Sequence, residues 1–156
     1  MPQHNEKAFE SAIEDYLLTK SGYTKASSES FDRQRCLDPT ILIPFIQETQ
    51  PKEWEYLKNI QKEKAEETLI SDLTRALDSE HEGCIKVLRH GFKCFGKLFR
   101  VAYFAPASRM NPETQRLYKE NKLTITRQLH YSEKHEKTID VVLGLNGIPV
   151  VTAELK

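Results

Sequence analysis

The dipeptide Asn146-Gly147 separates two apolar runs, Ile139 to Leu145 and Pro149 to Leu155. Asn-Gly meets the positive-φ demand of a two-residue turn, and between apolar runs it is the strongest short-range hairpin signal a chain carries. It predicts two antiparallel strands whose paired positions sum to about 293, with Asp140 roughly opposite residue 153. Side chains alternate along a strand, so Glu154 and Lys156 share a face while Leu155 points the other way. Asp140, Glu154 and Lys156 are therefore expected together at the open end of the hairpin.

Those residue types suit one chemistry. Mg²⁺ takes one or two carboxylates, retains waters and completes its shell with phosphate oxygens. Asp140 and Glu154 are the candidate metal ligands, and the Leu155 carbonyl between the two charged residues is a third. Lys156 beside them would position an attacking water and stabilise charge developing on a phosphodiester. The bland alternative is a surface ion-pair cluster contributing under about 1 kcal/mol. The apolar flanks Val-Val-Thr-Ala and Leu favour chemistry, since a charge within a central strand costs desolvation unless it is used.

Upstream, apolar residues at 9, 12, 13, 16 and 17 have helical spacing over Glu6 to Thr19, with Asn5 as N-cap and Gly22 as the stop. Residues 21–36 read as polar loop. Asp38 and Pro39 open a second helix carrying Ile41, Leu42, Phe45 and Ile46 on one side, and Pro51 ends it and opens the next. Trp54 to Leu77 continues as a long charged helical pattern, interrupted near 62–66. Beyond residue 80 glycines punctuate shorter pieces. Phe92 to Phe95 and Leu98 to Phe104 read as strands around a tight turn, Pro112 opens a helix over 112–120 with Asn111 as N-cap, and 122–131 is rich in β-formers. Helices first and strands later indicate an α/β chain of the α+β, mixed-sheet kind. At 156 residues it fits one domain. The most apolar strand comes last with nothing after it to cover it, so a fragment of something longer is expected.

Net charge is zero, but it is unevenly placed. Residues 1–80 hold 10 Lys/Arg against 16 Asp/Glu, and residues 81–139 hold 12 against 5. The basic half either follows a phosphate backbone or is simply a solvated surface. No apolar run reaches the roughly 20 residues of a membrane helix, and the start MPQHNEKAFE has no secretory apolar core. Three cysteines without a CxxC pair argue against a disulfide scaffold or structural zinc. A cytoplasmic protein without a membrane partner is the expectation. The five histidines lack HxxxH or HExxH spacing, and no GxxxxGK[ST] is present, so a zinc hydrolase and a P-loop ATPase are both poor readings. Gln128, His130 and Tyr131 lie close in sequence, with Gln128 and His130 expected on one strand face; contact with DNA and a packed role are both open.

The stretch from Asn121 to Lys156 resembles the amino-terminal nuclease domain of the restriction (R) subunit of type I restriction enzymes. The resemblance is carried by Asn121, Thr126-Arg127-Gln128 with His130-Tyr131, Ile139-Asp140, Asn146-Gly147-Ile148-Pro149 and Glu154-Leu155-Lys156. Phe9-Glu10, Tyr16-Leu17, Gly22-Tyr23, Thr49-Gln50-Pro51 to Trp54, and Phe99 to Phe104 with Pro106 extend it over nearly the whole chain. The resemblance implies a restriction-endonuclease-like core of the PD-(D/E)xK class, a mixed sheet with flanking helices and the metal site on a central hairpin. It implies that Asp140 and Glu154 bind Mg²⁺ and that Lys156 is the catalytic lysine. A glutamate on the first helix would support the site, with Glu10 the candidate and Glu6 or Glu14 its rivals. The implied activity is non-specific cutting of double-stranded DNA in a restriction system. Translocation would use ATP in motor domains downstream of residues 1–156, and methyltransferase and specificity subunits would be partners. Ile139 stands where the class name has proline, and the downstream QxxxY motif is absent.

Overall fold

The computed structural model describes residues 3–156, with side chains from Asn5 onward. In chain order the elements are α1 (Gln3–Lys20), β1 (Thr24–Lys25), α2 (Pro39–Thr49), α3 (Pro51–Gln61), a 3₁₀ turn (Lys62–Lys64), α4 (Ala65–Asp78), α5 (Gly83–His90), β2 (Phe92–Cys94), β3 (Lys97–Phe99), α6 (Pro112–Lys119), β4 (Leu123–His130), β5 (Thr138–Leu145) and β6 (Ile148–Ala153). This is the α/β class expected, with a mixed four-stranded sheet and a small two-stranded one. Two compact units form, Met1–Ile41 with Lys122–Lys156, and Leu42–Asn121. Among the described residues no helix is long and apolar enough to cross a membrane.

The first unit holds the sheet β1-β4-β5-β6, in which β1 runs parallel to β4 and the other pairs are antiparallel. Asn146 (φ 52°) and Gly147 (φ 86°) form the expected two-residue turn between β5 and β6. The turn is fully docked. Asn146 has 0% exposure, its Oδ1 accepts from Lys122 N at 2.6 Å, and the Gly147 carbonyl accepts from Asp38 N at 2.8 Å. Asp38 in turn caps α2, its Oδ1 accepting from Thr40 N at 3.0 Å.

Register departs from the sequence expectation by one residue. Near the turn Leu145 pairs with Ile148 and Gly144 with Pro149, but from Leu143↔Val151 onward the positions are shifted. Val150 is the extra residue, so Ala153 pairs with Val141 and not with Asp140. Gly144 permits this local closeness, because a Cβ there would meet Thr124 Oγ1 at 2.5 Å. β5 is internal but β6 is the outer strand, which accommodates Pro149 and leaves Val150 and Val151 exposed.

The second unit packs α3, α4 and α5 with the β2–β3 hairpin around Leu57, Leu69, Leu73, Val87, Phe92, Cys94 and Phe99. The break near 62–66 is the 3₁₀ turn at Lys62 (φ 53°), and Asn111 caps α6 through Glu113 N at 3.0 Å, both as the sequence indicated. α5 forms in one of the short pieces between glycines, and β1 within the stretch that reads as polar loop. β3 ends at Phe99, not Phe104, whose side chain is exposed. Gln50 binds the chain beyond β3 with both ends of its amide, accepting from Arg100 N (2.6 Å) and donating to Arg100 O (2.9 Å).

Two outcomes follow for stability and reactivity. Asn146→Ala should cost about 2–4 kcal/mol in urea unfolding, since it removes a buried acceptor and strains positive φ; Asn146→Gly should cost about 1–2 kcal/mol less because glycine recovers the backbone conformation. Burial, then the Asp72 carboxylate, push the Cys94 thiol up to about 12. Alkylation followed by mass spectrometry should therefore label the exposed Cys36 and Cys84 in the folded chain and reach Cys94 only after denaturation.

Candidate active site

The apolar stripe expected on α1 is not its buried side. Phe9 is 57% and Tyr16 63% exposed, whereas Glu10 and Glu14 are only 4% and 6% exposed. Spaced i,i+4, the two carboxylates lie on one helix face and would repel one another there without a cation. Arg127 of β4 supplies it: Nε meets Glu10 Oε2 at 3.0 Å and Nη1 meets Glu14 Oε2 at 2.9 Å and Ser11 Oγ at 3.2 Å. Lys25 Nζ adds a charge contact to Glu14 Oε1 at 3.0 Å, outside hydrogen-bond alignment. Asn5, read as the N-cap, lies within α1.

A second chain of contacts runs from Glu10 toward Asp140. Gln128 Nε2 donates to Glu10 Oε1 at 2.8 Å and to Asp140 Oδ1 at 3.2 Å, while its Oε1 accepts from Thr138 Oγ1 at 2.8 Å. Carboxylates only accept, so the amide can face them with its nitrogen alone. Gln128 has φ 50°, the left-handed region, which costs a non-glycine residue about 1–2 kcal/mol. The kink breaks the face alternation of β4. Thr124, Thr126 and Leu129 line one small cavity, while Arg127 and Gln128 both reach Glu10. His130, the cross-strand partner of the Thr138 whose hydroxyl meets Gln128, still lies on the face of Gln128, as the sequence indicated. His130 Nδ1 lies 3.3 Å from Glu136 Oε2, without hydrogen-bond alignment, and Tyr131 stacks edge-on with His135 at 5.2 Å.

Asp140 Oδ2 accepts from the backbone N–H of Leu155 at 2.7 Å, tying the segment after β6 to β5. The last cross-strand pair is Val141 with Ala153, so Asp140 and Glu154 are the next residues outward on the two chains. Glu154 and Lys156 are exposed and make no hydrogen bond or ion pair among the described residues. Glu10 meets Asp140 only through the shared Gln128 amide. Its carboxylate is engaged by Arg127 and Gln128, and among the described residues no three His, Cys, Asp or Glu side chains converge to hold a metal. Glu6 has no such partners on the sheet, and Glu14 is committed to Arg127 and Lys25.

Sequence reading left Gln128 open between DNA contact and a packed role, and did not anticipate the Arg127 ion pairs or Thr138. The usable signal was the i,i+4 spacing of Glu10 and Glu14, matched by Arg127 in a β-rich stretch.

Burial raises the Glu14 carboxyl, but the Arg127 hydrogen bond and the charges of Lys25 and Arg127 outweigh it and hold the group below its ordinary value; the carboxylates raise Arg127 in return. A carboxyl depressed on folding contributes stability above its unfolded pKa and loses it as pH falls through the folded one. Unfolding free energy should thus decline from about pH 4.5 downward. In Glu14→Gln that limb of the pH profile should be shallower, with lower stability at neutral pH. An unchanged profile would remove Glu14 from the account.

The chain matches the family described as type I restriction enzyme R protein N terminus over residues 3–156. No curated protein and no solved structure matches it. With a match over almost every residue, the chain belongs to that family, the N-terminal region of the R subunit of type I restriction enzymes.

Proposed function

We propose that this region is the Mg²⁺-dependent, sequence-nonspecific endonuclease domain of the R subunit, cutting double-stranded DNA within an ATP-dependent restriction complex. The observation that carries the proposal is the meeting of Asp140 with the Glu154-Leu155-Lys156 segment at the end of β5 and β6. ATP would be used by motor domains outside this chain. The methyltransferase and specificity subunits would supply site recognition.

The residues fit a hard cation. Each Asp140 oxygen accepts one N–H and keeps a second lone pair, and the exposed Glu154 carboxylate has no competing partner among the described residues. Asp140 and Glu154, with the Leu155 carbonyl, would hold Mg²⁺, which requires only one or two carboxylates and fills its shell with water and phosphate oxygens. When bound, the ion polarises the phosphodiester and lowers the pKa of water. Lys156 orients the attacking water and stabilises the negative charge that grows on the phosphate as the P–O bond to the leaving strand breaks. Glu10 acts at one remove, holding the Gln128 amide that meets Asp140.

Plasmid nicking tests the reading. With Mg²⁺ the chain should nick supercoiled DNA, and Asp140→Ala or Lys156→Ala should lower the rate about a hundredfold or more. Asp140→Ala should also abolish calorimetric Mg²⁺ binding, whereas Lys156→Ala should keep it. Cleavage that survives either substitution would sink the assignment. The absence of a three-ligand cluster among the described residues favours one rival, a DNA-docking or subunit-interaction module with a structural acid and lysine cluster. That reading expects no nicking by the wild-type chain and no Mg²⁺ heat at all.

A further inference from the structure

Within the second unit, residues 83–110 contain six Lys/Arg and no Asp or Glu. They are Lys86 and Arg89 on α5, Lys93 on β2, Lys97 on β3, then Arg100 and Arg109. Elsewhere in this unit arginines are neutralised locally: Arg75 by Asp72 at 3.1 Å, and Arg116 by Glu113 at 2.7 Å and Glu120 at 4.0 Å. None of the six forms an ion pair among the described residues. Lys86 reaches only the His81 carbonyl (3.5 Å), Lys97 lies 4.7 Å over the Tyr56 ring, and Arg100 reaches the Arg89 carbonyl (3.5 Å).

Part of this charge faces one groove. A cavity of about 530 Å³ is lined by Lys86, His90 and Lys93, by Arg75, and by apolar surface that includes Leu98. Its strand wall follows from register. Lys93 and Leu98 are cross-strand partners, so they share the outward face while Phe92, Cys94 and Phe99 fill the core. Of the two acids in the groove, Asp72 is engaged by Arg75 and packs against the Cys94 thiol, which leaves Glu82 alone against three unneutralised basic groups.

We propose that this groove binds the phosphate backbone of nucleic acid. Two of the six unpaired cations, Lys86 and Lys93, line the groove and the other four lie elsewhere on residues 83–110, a spread that suits a repeating polyanion better than a single phosphate. The donors are flexible lysines with one histidine, suited to backbone contact without base readout. The site shares with the nuclease reading only its polyanionic substrate, and none of its residues belongs to the Asp140 and Glu154 arrangement.

The test is anisotropy of a short fluorescent DNA duplex of arbitrary sequence, titrated with the chain in EDTA at several KCl concentrations. Lys86→Glu with Lys93→Glu should weaken binding tenfold or more and flatten the log affinity against log salt slope by about 2. Lys52→Glu with Lys64→Glu, outside the groove, should change affinity less than about twofold, and circular dichroism should show every variant folded. Binding in EDTA does not depend on Mg²⁺, so nicking lost with binding intact would separate the two proposals. The groove is overturned if the Lys86/Lys93 variant binds like wild type. It is also overturned if polyglutamate of equal charge binds as tightly as DNA, or if inorganic phosphate displaces the duplex far better than chloride at equal ionic strength.

Discussion

Arg127 lies between two buried carboxylates of one helix, and the arrangement of the first unit depends on that contact. A guanidinium presents its donors in a rigid fork, so meeting Glu10, Glu14 and the Ser11 hydroxyl together allows α1 one rotation and one height along β4. An apolar stripe would tolerate slippage that this fork does not. Buried ion pairs are poor evidence for net stability, because desolvation consumes most of the attraction. Geometry is the better account of this one. With α1 held in this way, Glu10 stands where Gln128 can reach it, and through Gln128 the helix is connected to Asp140.

What could be read from the residues was whatever local chemistry dictates. Asn146-Gly147 named its own turn, Asp38-Pro39 and Asn111-Pro112 their helix starts, and Gly22 (φ 72°) the stop of α1. The carboxylates were placed at the hairpin's open end by strand alternation alone. Three failures have a common cause in tertiary contact. β1 is only two residues long and exists because β4 runs beside it, so no periodicity announces it. α1 has a respectable apolar spacing, yet Arg127, 113 residues beyond Glu14, turns the acidic face inward. The one-residue shift at Leu143 and Gly144 depends on how closely Thr124 approaches Gly144, which the hairpin's own sequence does not contain.

Charge shows the same division between composition and pairing. A zero total conceals an acidic first half and a basic second half, and counting reveals that much. Counting does not distinguish Arg116, locked in a helical ladder with Glu113 and Glu120, from Lys93, which forms no ion pair among the described residues. Exposed helical pairs of that ladder kind are worth only tenths of a kcal/mol, but they cancel the field that an anion would feel. The informative quantity is therefore unneutralised charge on one face, and it is concentrated where residues 83–110 form α5 and the β2–β3 hairpin.

Gln128 joins these strands of reasoning in the first unit. A regular β residue at 128 would follow Thr124 and Thr126 onto the cavity face, away from Glu10. The left-handed backbone turns the side chain onto the face of Arg127, where one amide meets Glu10, Asp140 and Thr138. Strain of about 1–2 kcal/mol is offset by hydrogen bonds of which two go to carboxylates, each worth about 1.5–3 kcal/mol. Backbone outliers persist where the surroundings over-determine them, and they concentrate at sites whose geometry matters. Here the outlier sits opposite the one carboxylate of β5, and its amide nitrogen restrains Oδ1 while the Leu155 N–H restrains Oδ2. Asp140 is thus oriented from both sides before any ligand arrives. That is the property a preorganised carboxylate needs, and a loose surface ion pair would lack it.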